Sequence, residues 1–507
     1  MSQPTLKIQI KEVVSGTKQT AMAGLLVFLD MFVALDFWRL ADREVGTRQG
    51  QHAQGWTDGQ HIVSAVLLNL ANGEHVADLE SLESDTGLCE MLREAEKARL
   101  SISEHRKIKA RWRDNSRTRT FPSQSPTRRF LEGFHDLNEE KRREKSDVKA
   151  FIPKRTEPLQ GLQRLNTHVI AAAQANNPQT VATLDVDATI QDTYKREALY
   201  SYKKKSRAYQ PFNVFWAEHG MIVHSEFRDG NVPAGFEQTR VFAEALDMLP
   251  ADVERVRTRS DSAGYTEDFL RFCIEGQNKR FGAIEFTTSV KISKSFREVA
   301  RSVPESDWHA LDGRDDYEWA EVCFVPSWAH SKRGPEYRFI ATRKLIKQGQ
   351  LELDESVNPR MMTFDDGRTH HISGIVTNMD WDGDRLVRWH WARCGDSEAA
   401  HAVMKEDLAG GHFPSGKFGA NAAWWAIMLI ALNMQALMKR IVLPAECKTW
   451  RMKRLRFRLL NFAARVTRSG RQMFLSVAVG HRALELLRAA REQMRALVWP
   501  PGSVSAV

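Results

Sequence analysis

The sequence predicts an α/β fold: a mixed-sheet core with a β-rich insertion, flanked by helical N-terminal and C-terminal regions. Three observations predict it. Apolar residues keep helical spacing in the first hundred residues, then give way at Val181 to short apolar runs of strand length. Those runs and the amphipathic stretches between them come in the order β-β-β-α-β-α-β. Helical spacing returns after a final strand at Ile372 to Asn378.

Taken in order, Ala23 to Leu35, His61 to Leu70 and Ala77 to Leu82 read as helices of an N-terminal domain, residues 1–100. Residues 101–175 read as a basic linker and helical segment, with Ser123-Gln-Ser-Pro-Thr127 punctuating the chain before a helix near Arg128. The catalytic core is expected over 176–440. Val181 to Thr189 is its first strand. Phe212 to Ala217 and Met221 to Phe227 follow, joined by a short His219-Gly220 turn as in a hairpin. A helix from Phe236 stops at Pro250; Val253 to Arg259 is a strand, Thr266 to Glu275 a helix and Phe281 to Thr287 a strand. An antiparallel meander followed by parallel strands with connecting helices is the element order of the ribonuclease-H-like fold. Residues 288–372 break the pattern as the β-rich insertion, with strands at Tyr317 to Val325 and Tyr337 to Arg343. Residues 441–507 read as a basic helical region.

A chain of 507 residues with 42% apolar side chains is long enough for two or three domains. Lysine and arginine exceed aspartate and glutamate by 73 to 64, a net charge of +9. The clustering of that excess points to a polyanion such as double-stranded DNA. Arg106, Lys107, Lys109, Arg111 and Arg113 crowd the linker, Lys203, Lys204 and Lys205 form a run, and Arg451, Lys453 and Arg454 open the C-terminal region. The five cysteines are scattered and form no Cys-x-x-Cys pair, which argues against a disulfide frame or zinc ribbon and fits a reducing cytoplasm. The N-terminus has no export-signal pattern. Phe418 to Met438 nears membrane-spanning length, but Asn421, Asn433 and Gln435 within it favour a buried core helix.

Three carboxylates stand out. Asp187 ends the first strand, Asp261 follows the strand at Val253 to Arg259, and Glu398 lies on a helix, 74 and then 137 residues further on. Two strand carboxylates and one helix carboxylate suit a pair of divalent cations that activate a hydroxyl and cut a phosphodiester. Mg²⁺ is expected, with Mn²⁺ able to replace it. Asp185 lies two residues before Asp187 on one strand face and could assist it. Thr189 completes an Asp-x-Thr pattern. Taken as one α-helix, Glu398, His401 and Lys405 share a face, where Lys405 could hold a phosphate.

Leu-Asp-Val-Asp-Ala-Thr, Arg-Ser-Asp-Ser-Ala-Gly-Tyr and Gly-Asp-Ser-Glu followed by Lys405 resemble DDE-type insertion-sequence transposases, best the IS thirteen-eighty family. Phe227-Arg-Asp-Gly-Asn231, Thr377-Asn378 and Phe418-Gly-Ala-Asn-Ala-Ala-Trp424 extend the resemblance over nearly the whole chain. That family's signature is Tyr, two residues, Arg, three residues, Glu, six residues, Lys. Glu398 and Lys405 keep the last spacing. Counting back places Cys394 and Trp391 where Arg and Tyr belong, with Arg393 and His390 one position out. The resemblance implies a homodimer that binds the terminal inverted repeats of its own element, cuts there with two Mg²⁺ ions, and joins the 3′-OH to target DNA in the bacterial nucleoid.

Two other readings follow from the residues. A decayed relative would bind DNA ends without cutting. A haloacid-dehalogenase-type phosphatase would use Asp185 as nucleophile and Asp187 as general acid.

Overall fold

The computed structural model describes residues 18–47, 55–98, 100–106, 119–145, 150–329, 336–346, 358, 360–365 and 367–500, apart from the side chains of Asp396 and Ser397. Strand β1 (Lys18–Thr20) leads into helices α1 (Leu26–Ala34), α2 (Phe37–Val45), α3 (Asp58–Ala71), α4 (Leu79–Ser84) and α5 (Thr86–Lys97). α3 starts at Thr57 because a capping box satisfies its first amides: Thr57 Oγ1 accepts from Gln60 N–H, and the Gln60 side chain accepts from Thr57 N–H. Beyond the cap, α3 is buried from Asp58 to Leu70. Helices α6 (Gln124–Glu132), α7 (Leu137–Glu144) and α8 (Glu157–Asn176) follow.

The central layer begins with β2 (Val181–Ala188). Three short strands, β3 (Gln191–Asp192), β4 (Tyr200–Ser201) and β5 (Ser206–Tyr209), then form a small side sheet that the sequence reading did not anticipate. β6 (Phe212–Trp216) and β7 (Met221–Glu226) complete the meander. α9 (Gln238–Asp247), β8 (Arg255–Ser260), α10 (Glu267–Ile274) and β9 (Glu285–Ser289) supply the crossovers and parallel strands. β2 pairs antiparallel with β6 and parallel with β8, and β9 lies parallel to β8. The order β7-β6-β2-β8-β9 is that of a ribonuclease-H-like sheet. β2 sits at its centre, flanked on both edges, which is why Ala182 to Val186 is buried throughout.

The segment read as an insertion carries α11 (Lys294–Arg301), β10 (His309–Leu311), β11 (Arg314–Val322), β12 (Arg338–Leu345), β13 (Met361–Thr363) and β14 (Thr369–Thr377). Its strands do not form a separate layer. β14 pairs antiparallel with β9, and β12, β11 and β10 continue the same sheet outward. Helix α12 (Gly383–Ala402) then packs back against β2, β8 and β11.

Helix α13 (Phe418–Leu437) is the core helix that the sequence favours. It passes a length-and-composition test for a membrane span, but 78% of its most apolar stretch is buried in protein. Its two asparagines have protein partners. Asn433 Nδ2 donates to Asn166 Oδ1 at 2.7 Å and to Ile222 O at 2.8 Å, while its Oδ1 accepts from Ile222 N–H at 2.9 Å. Asn421 Nδ2 donates to Tyr209 Oη at 3.1 Å. α13 packs on α3, α8 and β7, so the N-terminal helices and the sheet share one apolar core. The Phe227-Arg-Asp-Gly-Asn231 stretch ties this core together: buried Arg143 donates to both oxygens of buried Asp229, at 2.6 and 2.9 Å.

The C-terminal region departs from the helix expected there. After short helical turns over Met452–Leu460, β15 (Ala464–Ser469) and β16 (Gln472–Ser476) form a hairpin, to which β1 adds a third strand. The hairpin turns at Gly470, whose φ of 58° suits glycine. Alternation of buried Ala464 and Val466 with exposed arginines makes this a strand pattern, overlooked because the arginines dominate the composition. Helix α14 (Arg482–Ala496) closes the described chain.

His219, at the β6–β7 turn, is buried beneath Trp216 and hydrogen-bonded to Gln174 Oε1 at 2.9 Å. Burial, aided by nearby Arg440, pushes its pKa down to about 4. The unfolded chain therefore binds more protons than the folded one between the usual histidine value and about pH 4. His219's contribution is complete above that window and is lost as pH falls through it, a change of about 3 kcal/mol. His219→Gln is expected to flatten this part of the pH–stability curve, measured by urea denaturation from pH 7 to 4.

Candidate active site

The parallel pairing of β2 and β8 builds the centre of the site. Val186 lies opposite Ser260 in register, so the next residues, Asp187 and Asp261, emerge side by side at the carboxyl ends of neighbouring strands. Asp261 Oδ1 accepts from Ala263 N–H at 2.9 Å, which fixes it as the cap of a short 3₁₀ turn. Asp187 is largely buried, with 22% of its side chain exposed. Burial raises its pKa to about 6; Arg393 opposes the rise, and the Asp261 charge adds to it. Two carboxylates abreast at a partly dehydrated strand end, one of them resisting ionisation, form a site that a cation would relieve. An oxygen-rich pair with room for water and phosphate oxygens suits Mg²⁺ or Mn²⁺.

Helix α12 covers this face. Asp382 caps it, accepting from Asp384 N–H at 3.0 Å. His390 anchors it to β9: its Nδ1 is 2.8 Å from Thr287 Oγ1 and its Nε2 2.9 Å from Ser289 Oγ. One turn on, Arg393 Nη1 lies 3.6 Å from Asp187 Oδ2, and two turns further His401 Nδ1 lies 3.8 Å from the same oxygen. Arg393 thus reaches the site although the spacing count put Cys394 in that place. Burial, Lys405 and Arg393 together push the His401 pKa down to about 4. Glu398 is exposed on the same helix.

The expected common face of Glu398, His401 and Lys405 is broken, because α12 ends at Ala402 and a π-turn runs over Val403–Asp407. Lys405 is carried on that turn. Its pKa is lowered by burial and Lys204, while Asp192 and Asp187 act in the opposite direction.

Asp185, expected to assist Asp187, is held away from solvent. It lies directly opposite Arg259 in the β2–β8 register and is fully buried. Arg259 Nε and Nη2 donate to its two oxygens at 2.6 and 2.8 Å, and Arg259 Nη1 donates to Trp389 O at 2.8 Å. The pair is a strut between the sheet and α12. The phosphatase reading fails with it, since a clamped, water-excluded carboxylate has no access to a substrate phosphorus. Thr189 is buried; its N–H donates to Pro211 O at 2.9 Å, tying the end of β2 to the entry of β6. The sequence reading missed Arg259 and placed His390 only beside the Tyr position, without its anchoring role. No local signal marks Arg259, because its match to Asp185 is set by the β2–β8 register.

Basic side chains surround an open cleft of about 1250 Å³ lined by Arg128, Lys195, Arg196, Arg207, Lys405 and His412 among others. Lys203, Lys204 and Lys205 are exposed in the β4–β5 turn; the charge of Lys203 acts on Asp187 and that of Lys204 on Lys405. On the cleft rim, Glu74, His75 and His412 bring ligand atoms within 4.8 Å of one another. Arg106 is exposed, while Lys107, Lys109, Arg111 and Arg113 lie outside the described residues. Arg451 pairs with Glu406 at 3.0 Å, Lys453 is exposed, and Arg454 lies over the Trp450 ring at 4.9 Å. Arg456, from the same basic stretch, is buried instead and donates to Leu70 O at 2.8 Å and Asn69 O at 2.7 Å.

A family model described as transposase DDE domain group 1 matches residues 3–499. Among solved structures, the chain is similar to the piggyBac transposase in a synaptic complex with hairpin DNA, seen by cryo-EM. That similarity has a TM-score of 0.43 and 10% identity, over 87% of this chain and 81% of that one. Among curated proteins no match is found.

Proposed function

The chain belongs to the transposase DDE domain group 1 family, and from that premise we propose that it cuts the ends of its own insertion sequence and joins them to new DNA. It would bind the terminal inverted repeats as a homodimer on paired ends, in a bacterial cytoplasm at the nucleoid. The observation that carries the reading is the pair Asp187 and Asp261, abreast at the ends of β2 and β8 under α12.

Asp187 and Asp261 hold the divalent cations in this reading, and Glu398, on the exposed flank of α12, is the third carboxylate of the set. When bound, two Mg²⁺ or Mn²⁺ ions lower the pKa of an attacking hydroxyl and stabilise the leaving oxygen. Asp187 and Asp261 gather their negative charge at one strand edge, so phosphate oxygens approach only together with cations. Arg393 neutralises Asp187 from the helix side and orients it. Water first breaks the bond between phosphorus and the 3′ oxygen at the repeat boundary. The freed 3′-OH then attacks a target phosphorus and displaces another 3′ oxygen. Lys405, Lys203 and Lys204 hold backbone phosphates beside the carboxylates, with Lys205, Arg106, Arg451, Lys453 and Arg454 further out.

Purified protein incubated with duplex carrying the gene's own flanks and Mg²⁺ or Mn²⁺ tests the reading, wild type beside Glu398→Gln. Cutting at the repeat boundary by wild type alone is expected, with both proteins binding equally. Binding without cutting by either would instead identify a decayed, DNA-binding relative. The basic residues have their own test. Lys204→Ala and Lys405→Ala are each expected to reduce the slope of log K against log salt by about 1, read by fluorescence anisotropy across a salt series. An unchanged slope would remove that lysine from the phosphate contacts.

A further inference from the structure

We propose that His401 supplies an imidazole ligand to the cation held by Asp187, making the donor set mixed carboxylate and imidazole. The proposal rests on the metal-dependent reading above and deepens it.

Geometry carries it. His401 Nδ1 stands 3.8 Å from Asp187 Oδ2, with 12% of the histidine side chain exposed. Two donors on one octahedral ion, each about 2.1 Å from it, are roughly 3.0 Å apart when adjacent and roughly 4.2 Å when opposite. The 3.8 Å separation lies between these values, so a side-chain adjustment of under about 1 Å seats both groups on one ion.

The other histidine of α12 gives the contrast. His390 has both ring nitrogens within hydrogen-bond distance of hydroxyls on β9, which is what a structural histidine does. The His401 ring has no hydrogen-bond partner among the described residues; its charged neighbours are the Asp187 carboxylate at 3.8 Å and the cations Lys405 and Arg393. A helix turns about 100° per residue, so Glu398 lies roughly 60° beyond His401 on the side away from Arg393. Its exposure agrees with that placement. α12 thus presents a guanidinium and an imidazole to Asp187. An imidazole tilts a site away from Mg²⁺, which prefers oxygen, and toward Mn²⁺ and later first-row ions.

The test uses full-length protein stripped of metal and titrated with Mn²⁺, followed by electron paramagnetic resonance. Wild type, Asp187→Asn, Glu398→Gln, His401→Ala and His401→Gln are compared, with circular dichroism to check folding. The expected result is Mn²⁺ bound in an Asp187-dependent way, with nitrogen-14 coupling in the pulsed spectrum. That coupling should vanish in both His401 variants and persist in Glu398→Gln. The preference for Mn²⁺ over Mg²⁺ in competition should fall at least tenfold in His401→Gln. Asp187-dependent Mn²⁺ binding without nitrogen coupling, or coupling that survives in both His401 variants, overturns the His401 assignment and leaves the metal site standing. Absence of any Asp187-dependent Mn²⁺ binding overturns the metal reading and the His401 assignment with it.

Discussion

Asp187→Asn should abolish DNA-end cleavage while making the metal-free protein more stable. Asparagine keeps the shape but cannot offer a charged oxygen to a cation. Lost Lewis-acid stabilisation of several kcal/mol corresponds to about a thousandfold in rate or more. The stability gain comes from the raised pKa of Asp187, about 6 in the fold because of burial and the Asp261 charge. Between the ordinary aspartate value and about pH 6, the folded state binds more protons than the unfolded one. Stability therefore falls as pH rises through that window, by up to about 3 kcal/mol. Asp187→Asn removes this penalty. Cleavage assays at pH 7.5, paired with urea denaturation in chelator at pH 4.5 and 7.5, read both effects. A variant that cuts at even a tenth of the wild-type rate would exclude Asp187 from the chemistry. Asp261→Asn is expected to lose cleavage to the same degree.

The second large effect lies one pleat away. Arg259→Ala leaves the Asp185 carboxylate buried without its cation, and removal of one partner of such a pair costs about 3–5 kcal/mol. It also releases Trp389 O from the Arg259 guanidinium and so loosens α12 over the site. The double replacement Asp185→Leu with Arg259→Met should recover most of the lost stability, because no charge is then stranded. The double-mutant cycle is read from urea midpoints. A cost below about 1 kcal/mol for Arg259→Ala, or a double variant weaker than the single, would show that the pair is not the strut described.

How much of this was legible beforehand differs from element to element. The β-β-β-α-β-α-β order was readable because each strand run is short and bounded by turn residues. It led directly to the observed order β7-β6-β2-β8-β9. Strand ends shifted by a few residues where apolar turn residues such as Phe281 lengthened a run. Two of the insertion's strands, β11 and β12, were visible as strands, but not β10, β13 or the continuation of the main sheet, since pairing partners are set by contacts between distant segments. The C-terminal hairpin was misread as helix because arginine content masked a two-residue alternation at Ala464 and Val466.

The neighbouring positions of Asp187 and Asp261 were legible in the sequence: each stands where a strand run ends, and parallel pairing of β2 and β8 brings those ends together. Only the tertiary structure decided the rest. Asp185 and Asp187 are chemically alike and two residues apart, yet one is clamped by Arg259 and the other faces Arg393 and His401. On α12 the rotation of the helix brings His401 inward and leaves Glu398 outside, and His390 anchors that rotation by bonding to β9. Local sequence sets where a strand ends and how a helix repeats. Which face of the helix meets the sheet is a packing decision, made by residues more than a hundred positions apart.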